Sequence, residues 1–322
     1  SAQADTAPVD SNVETNVETE APLETIIVAA SRGARVDLDV PRSVTRRTRE
    51  DLSKRPARNM PDLLHGIPGV HSQATGPGQG SPFVRGLTGY HVLTLIDGVR
   101  LNGSFYRAGP NQYNALIDPL IVDSVEVVRG PGSVLYGSDA LGGVIALETR
   151  APQAPKGVQP GELWARPGGT FQFLQPTNGG NPNATSRIEV MAGKDSVAAL
   201  VGFTYAHYSD REGGRRAQTL NNTAYAQLNG DVKVVADVTA QERVTVAFQR
   251  SELRNGPRTH STTASESFKG TAIGSNQRRD LDQSRQLTFV SIESRDRSVF
   301  DRVKATASLQ RHYEIQHRVR GN

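Results

Sequence analysis

The stretch Arg129–Ile145, RGPGSVLYGSDALGGVI, holds five glycines and a proline behind the β-prone run SVEVV. A glycine-rich loop after a strand is one setting in which backbone N–H groups cradle phosphate. A second such stretch is GPGQG at 76–80. It reads as having no strand before it and no helix after it, and its glycines are wrongly spaced for a dinucleotide loop. No Gly-Lys-Ser/Thr follows either stretch, and Gly193-Lys194-Asp195 reads as a tight turn. No G-x-S-x-G, H-E-x-x-H or EF-hand spacing occurs, and the seven histidines are scattered. The absence of cysteine excludes disulfides, thiolate zinc sites and cysteine nucleophiles. The residues therefore assemble no catalytic set, no metal-ligand set and no cofactor loop, and an enzyme is the poorer hypothesis.

The elements around these glycines alternate short helices and short strands as far as about Thr149. REDLSKRPARNMPDLLHGIPGV places Leu52, Met60, Leu63 and Leu64 at helical spacing, and Pro68-Gly69 ends the run. SQATGPGQGSP is a loop, FVRG and HVLTLIDGVRL read as strands with Asp97-Gly98 as a hairpin turn, and SVEVVRG and GVIALETR complete a small α/β domain of some 120 residues.

From about Glu162 the period becomes two. Val244, Val246 and Phe248 alternate with Thr245, Ala247 and Gln249, and Val303, Ala305, Ala307 and Leu309 alternate with Lys304, Thr306, Ser308 and Gln310. Strands with one apolar and one wet face are expected at about 162–174, 185–194, 197–208, 228–238, 242–252, 285–295 and 300–315. The connections KDS, TAQ and RSVF are short, whereas 209–227 and 253–284 are long and polar. Tight turns on one side and extended loops on the other mark an outer-membrane barrel. A soluble β-sandwich is the alternative. Seven strands is an odd number, single-chain bacterial barrels close with an even one, and the sequence stops directly after a strand, so the expectation is the front part of a longer barrel.

The composition agrees: 36% of the 322 residues are hydrophobic, with 31 glycines and 18 prolines, and no run approaches the length of a spanning helix. A membrane location would thus require a barrel. Ala2-Gln3-Ala4 is similar to the tail of a secretory cleavage site. The net charge of +4 is polarised. Residues 1–31 carry Asp5, Asp10, Glu14, Glu18, Glu20 and Glu24 with no Lys or Arg, which reads as a disordered acidic arm. Nine Arg or Lys against four acids follow between Arg32 and Arg58, without the aromatics that stack on bases. The basic charges are otherwise dispersed, so nucleic acid is not expected as a partner. Between arm and basic segment, ETIIVAASR is a β-branched island. It is either a strand for another protein's sheet edge or the first edge strand of this fold.

ETIIVAA, IPGV, FVRGL, VLTLIDGVRLNG and above all SVEVVRGPGSVLYGSDALGGVIALETR resemble the TonB-dependent outer-membrane receptors. The resemblance implies an α/β plug domain followed by antiparallel transmembrane β-barrel strands, about seven of some twenty-two. The corresponding division is an acidic arm at 1–23, a TonB box at 24–31, a plug at 32–152 and barrel strands at 153–322. It implies a nutrient importer of the bacterial outer membrane whose partners are the TonB protein, outer-membrane lipid and a small metal chelate or haem. A transporter is expected rather than a gene-regulating receptor, since the arm is short. The TonB box would be Glu24, Thr25, Ile26, Ile27, Val28, Ala29 and Ala30. Arg85 and Arg129 match plug arginines that lock onto barrel glutamates in the family, the alternative being that they bridge strands inside the plug. Gly98, Gly130, Gly132, Gly137, Gly142 and Gly143 would permit the tight turns of a confined plug. Substrate contacts are expected at SQATGPGQGS and SFYRAGPNQYN, with His71, Tyr106, Arg107 and Tyr113 as candidates. Ferric siderophore, haem, cobalamin and oligosaccharide are all open as cargo, and the resemblance implies a ferric siderophore or haem first. The competing class is a soluble β-rich binding module without transport.

Overall fold

The computed structural model describes residues 26–27, 35–36, 43–74, 76–174, 182–212, 219–259, 274–295 and 301–321. Two short strands, β1 (Ile26–Ile27) and β2 (Arg35–Val36), pair with each other antiparallel. β3 (Ser43–Thr48) leads into α1 (Arg49–Ser53), which opens on a capping box: Asp51 accepts from the Thr48 backbone N–H at 3.0 Å. The single helical run expected from the spacing of Leu52, Met60, Leu63 and Leu64 is two helices. Pro56 disfavours helix at Arg55, and the chain restarts as α2 (Met60–Leu63) with Asn59 as its cap.

β4 (Val70–Gln73) and β5 (Ser81–Val84) form a hairpin around the GPGQG loop. A strand thus precedes this loop, contrary to the sequence expectation. VHSQ carries one β-branched residue and too little alternation to register as a strand. β6 (Val92–Ile96) and β7 (Val99–Arg100) flank Asp97 (φ 50°) and Gly98 (φ 86°), the left-handed pair of a type I′ turn. β8 (Val122–Arg129), α3 (Ser133–Tyr136) and β9 (Gly143–Thr149) complete the domain. The sheet order is β3-β8-β9-β6-β7, with only β6 and β9 parallel among the described pairs.

The second part is one antiparallel sheet of seven strands: β10 (Leu163–Leu174), β11 (Asn183–Lys194), β12 (Val197–Tyr208), β15 (Tyr225–Asp237), β16 (Glu242–Pro257), β17 (Asn276–Arg295) and β18 (Arg302–Arg320). The small hairpin of β13 (Arg211–Glu212) and β14 (Thr219–Leu220) lies in the connection between β12 and β15. Each strand pairs with its sequence neighbour in the wall, and β10 and β18 form the two edges. Above the apolar belt, β16 and β17 run on into segments read as loop. NQRRDLDQS has a single apolar residue, Leu281, so the pattern that reveals a strand elsewhere is missing there.

The orientation of the faces is decisive. Ile188, Val190, Val201, Phe203, Phe248, Val290 and Ile292 project outward and are exposed, while Arg187, Glu189, Thr204, Asp231, Lys233, Gln249 and Arg285 are buried. A sandwich would bury the apolar faces against each other. Here the polar face packs on the α/β domain and the apolar face points away, as in a barrel wall around a plug. One hydrophobic cluster joins Met60, Leu64, Val125, Ile145 and Leu147 of the plug to Ala247, Leu287 and Phe289 of the wall.

Candidate plug–wall seam and outer-face site

The alternation of β11, β12 and β15 points their polar side chains at the plug, and register brings complementary charges together. Glu189 lies opposite Gly202, and Gly202 opposite Asp231. Because Gly202 lacks a side chain, the Arg187 guanidinium lies over it: a Cβ there would meet Arg187 Nη2 at 2.1 Å. Arg187 donates to both oxygens of Asp231 (2.7 and 3.1 Å), to Glu189 (2.9 Å) and to Thr204 (3.2 Å), and its Nη1 lies 3.9 Å from Asp118 of the plug. Glu189 also accepts from Arg150 of the plug. The arginine is 1% exposed, so its geometry matters: two-pronged contact with a carboxylate is what a guanidinium offers away from water.

A second contact joins the β6–β7 turn to the wall. Asp97 accepts from Thr149 N (2.9 Å) and Thr149 Oγ1 (2.6 Å) and pairs with Lys233 at 3.1 Å, while Lys233 also donates to the Thr149 carbonyl at 3.0 Å. Lys304 reaches the Asp97 carbonyl and Gln310 the Arg100 carbonyl. Nearer the long-loop side, Arg285 is wholly buried. It donates to Leu116 O (3.3 Å) and Gln249 (3.1 Å) but meets no carboxylate among the described residues.

Burial pushes the Asp118 carboxyl above its ordinary range despite the favourable Arg187 and Thr204 contacts. A raised acid binds its proton more tightly folded than unfolded, so its ionisation lowers stability as pH rises through that window. Asp118→Asn should therefore cost under about 1 kcal/mol at neutral pH, whereas Asp231→Asn, which removes the two-pronged acceptor, should cost about 2–4 kcal/mol. Chemical denaturation of the full-length protein in detergent reads both values. Equal costs would contradict the assignment of Asp231 as the principal partner.

Most of the residues expected to contact substrate sit on the plug segment 104–114. Phe105 contacts Tyr113 edge-on (4.7 Å between centroids) and His312 of the wall (4.9 Å), and Tyr106 stacks on Tyr113 at 5.2 Å. Gln112 donates to Glu314 of β18 at 2.8 Å. Tyr106 is buried and its hydroxyl is pushed up strongly by burial, so it stays protonated. Tyr113 is half-buried, and Arg107 is exposed, with Nε donating to the Pro110 carbonyl at 2.9 Å. Three of the candidates, Tyr106, Arg107 and Tyr113, thus share one segment. His71 lies apart from it in sequence on β4, exposed, its ring 6.2 Å from Phe83.

Of the residues expected to form a TonB box, Ile26 and Ile27 form β1, and Glu24, Thr25, Val28, Ala29 and Ala30 lie outside the described residues. Arg129 donates to Ser43 (2.7 Å), Thr45 (2.7 Å) and the Pro68 carbonyl (3.2 Å), all inside the plug. Arg85 adopts a left-handed backbone (φ 51°) beside Gly130. Among the described residues neither guanidinium meets a carboxylate, and plug and wall are ion-paired instead through Arg150–Glu189, Asp118–Arg187 and Asp97–Lys233. Gly130, Gly132 and Gly137 surround α3, and Gly142 and Gly143 open β9. At Gly143 a Cβ would come within 2.3 Å of the Val128 carbonyl, so the close approach of β8 and β9 requires its absence.

Sequence reasoning did not single out Asp118, Arg187, Asp231, Lys233 or Arg285. The available signal was charge at inward positions of alternating strands, with a glycine at 202 facing them.

The family described as TonB-dependent Receptor Plug Domain matches residues 36–144. An iron-regulated outer membrane virulence protein of Vibrio cholerae is 30% identical over 233 residues, covering 68% of this chain and 34% of its own. A vitamin B12 transporter of Vibrio vulnificus is 36% identical over 137 residues, 42% of this chain and 22% of its own. This chain therefore spans about a third or less of the length of these relatives. Among solved structures, the FrpB iron transporter of Neisseria meningitidis superposes with a TM-score of 0.67 at 16% identity, covering 84% of this chain and 41% of that one. The Serratia marcescens hemophore receptor HasR gives 0.64 at 20% identity, covering 86% and 39%.

Proposed function

The chain belongs to the TonB-dependent receptors of the bacterial outer membrane, as plug and part of the barrel wall, and we propose on that footing that the whole protein binds a scarce nutrient at its outer face and imports it under TonB drive. The observation that carries this reading is the inversion of the seven-stranded sheet, with apolar side chains outward and polar side chains clasping the plug. It also counts against a soluble binding module, which would leave these apolar faces in water.

In this proposal residues 1–23 are an arm, 24–31 the TonB box, 32–152 the plug and 153–322 barrel strands. Glu24 to Ala30 supply the strand that TonB grasps. Arg85 and Arg129 lock onto barrel glutamates outside the described residues, Arg129 exchanging part of its bonding to Ser43, Thr45 and the Pro68 carbonyl for it, while the pairs at Arg187 and Lys233 hold the plug against this side of the wall. Cargo binds where the Phe105–Tyr113 aromatics meet His312, with Arg107 at the rim. A ferric siderophore or haem suits planar aromatic surfaces beside an exposed guanidinium, and relatives named for iron and vitamin B12 transport support a chelate as cargo.

The test is accumulation of radiolabelled ferric chelates, haem and cobalamin by cells carrying the full-length protein, with and without TonB. Uptake of one cargo that disappears without TonB is the expected result. Binding without any TonB-dependent accumulation would overturn the import reading.

A further inference from the structure

A crevice of about 260 Å³ lies between the plug segment 56–65 and the wall at β13 and β15. Arg58, Arg211 and Tyr225 line it, together with Asn59, Asp62 and His65. It is separate from the aromatic cluster at Phe105, Tyr113 and His312, and it has well over tenfold the roughly 15 Å³ a single water needs. Its chemistry is lopsided. Two guanidiniums share the space, and among the described residues neither pairs with a carboxylate. Asp62, the carboxylate in the lining, is already engaged, accepting from the Arg58 backbone N–H at 3.0 Å and lying 3.8 Å from His65 Nδ1.

Tyr225 supplies an independent sign. The residue is 4% exposed, and its hydroxyl is buried without a hydrogen-bond partner among the described residues. The ring is held in place by stacking on Tyr208 at 4.6 Å and 23°, and Tyr208 donates to or accepts from Thr185 at 3.2 Å. Arg58 lies over the Tyr208 ring at 5.9 Å, which orients its guanidinium without consuming its N–H donors. Two arginines whose guanidinium donors meet no acceptor among the described residues, and a pre-positioned hydroxyl, answer one class of ligand, an oxyanion with several acceptor oxygens.

We infer that this crevice is an anion site for a carboxylate- or phosphate-bearing ligand, held by Arg58, Arg211 and the Tyr225 hydroxyl. The oxyanion has two sources, an acidic arm of the cargo or a free anion from outside. The site stands whether or not import depends on TonB.

Isothermal titration of the detergent-solubilised full-length protein with sodium phosphate and with sodium citrate, at constant ionic strength, tests it. Saturable binding of at least one anion is expected in the native protein. Arg58→Met and Arg211→Met should each weaken it about tenfold or more, and Tyr225→Phe, which keeps the ring stack, about threefold to tenfold. Arg58→Lys should recover part of the loss, and unchanged heat-modifiable migration will show that the variants fold. No binding of either anion at millimolar concentration, or unchanged affinity in both arginine variants, would overturn the site. Competition with the imported chelate then identifies the source: displacement assigns the crevice to the cargo's acidic arm, and simultaneous binding assigns it to a free anion.

Discussion

Replacing Arg187 by methionine should lower the unfolding free energy of the full-length protein by about 3–5 kcal/mol, while the same replacement at Arg285 should be neutral or stabilising. Both side chains are fully buried at the plug–wall seam and both would lose a similar stem, so packing alone predicts similar costs. The charges around them predict opposite signs. Removing Arg187 strands Asp231, which it holds through two hydrogen bonds, and removes the nearest cation from Asp118. Glu189 keeps Arg150 and suffers less. Arg285 leaves no charge behind, because among the described residues it donates to the Leu116 carbonyl and the Gln249 side chain and to no carboxylate.

A second substitution sharpens the test. Arg187→Met combined with Asp231→Leu should recover more than half of the loss, since a buried pair replaced by apolar groups costs far less than a pair broken on one side. Denaturant titration in detergent micelles reads all four proteins. Equal destabilisation at Arg187 and Arg285 would mean that the seam is held by packing, and the electrostatic account would fail.

The elements of this fold were more legible in the sequence than the seam between them. Asp97-Gly98 announced its hairpin because two consecutive left-handed residues are a property of those two residue types. The wall strands announced themselves by period two wherever one face must be apolar, and stopped doing so in Asn276–Ser284, where Leu281 is the single apolar residue. Pro56 was visible in the helical run, but the spacing of Leu52 and Met60 masked its effect. The partners of Arg187 depend on register, which the Lys194–Val197 turn sets between β11 and β12 and the connection from Tyr208 to Tyr225 sets between β12 and β15. An inward arginine and an inward aspartate 44 residues apart look like any two solvated charges until that register is known. The empty position at Gly202 was the local trace of the pairing.

Ile27→Pro should reduce TonB-dependent uptake to the level of cells lacking TonB, with cargo binding at the cell surface unchanged. The size of this effect follows from where energy enters. If strand addition at 24–30 is the route by which the energised partner pulls on the plug, a box that cannot pair stops every cycle rather than slowing each one. Strand addition draws its affinity from main-chain hydrogen bonds, and proline removes an N–H from that ladder and fixes φ. In the folded chain Ile26 and Ile27 pair with Val36 and Arg35. A two-residue ladder is far too short to persist alone, so an incoming strand can displace it at little cost. Among the described residues β1 and β2 pair with each other and not with the five-stranded plug sheet, so the substitution spares that sheet. Ile27→Val, which keeps the N–H and the β-branch, should import normally. Equal surface abundance and equal cargo binding with full uptake in the proline variant would show that the pull on the plug enters elsewhere, and would return ETIIVAA to the role of an ordinary edge strand.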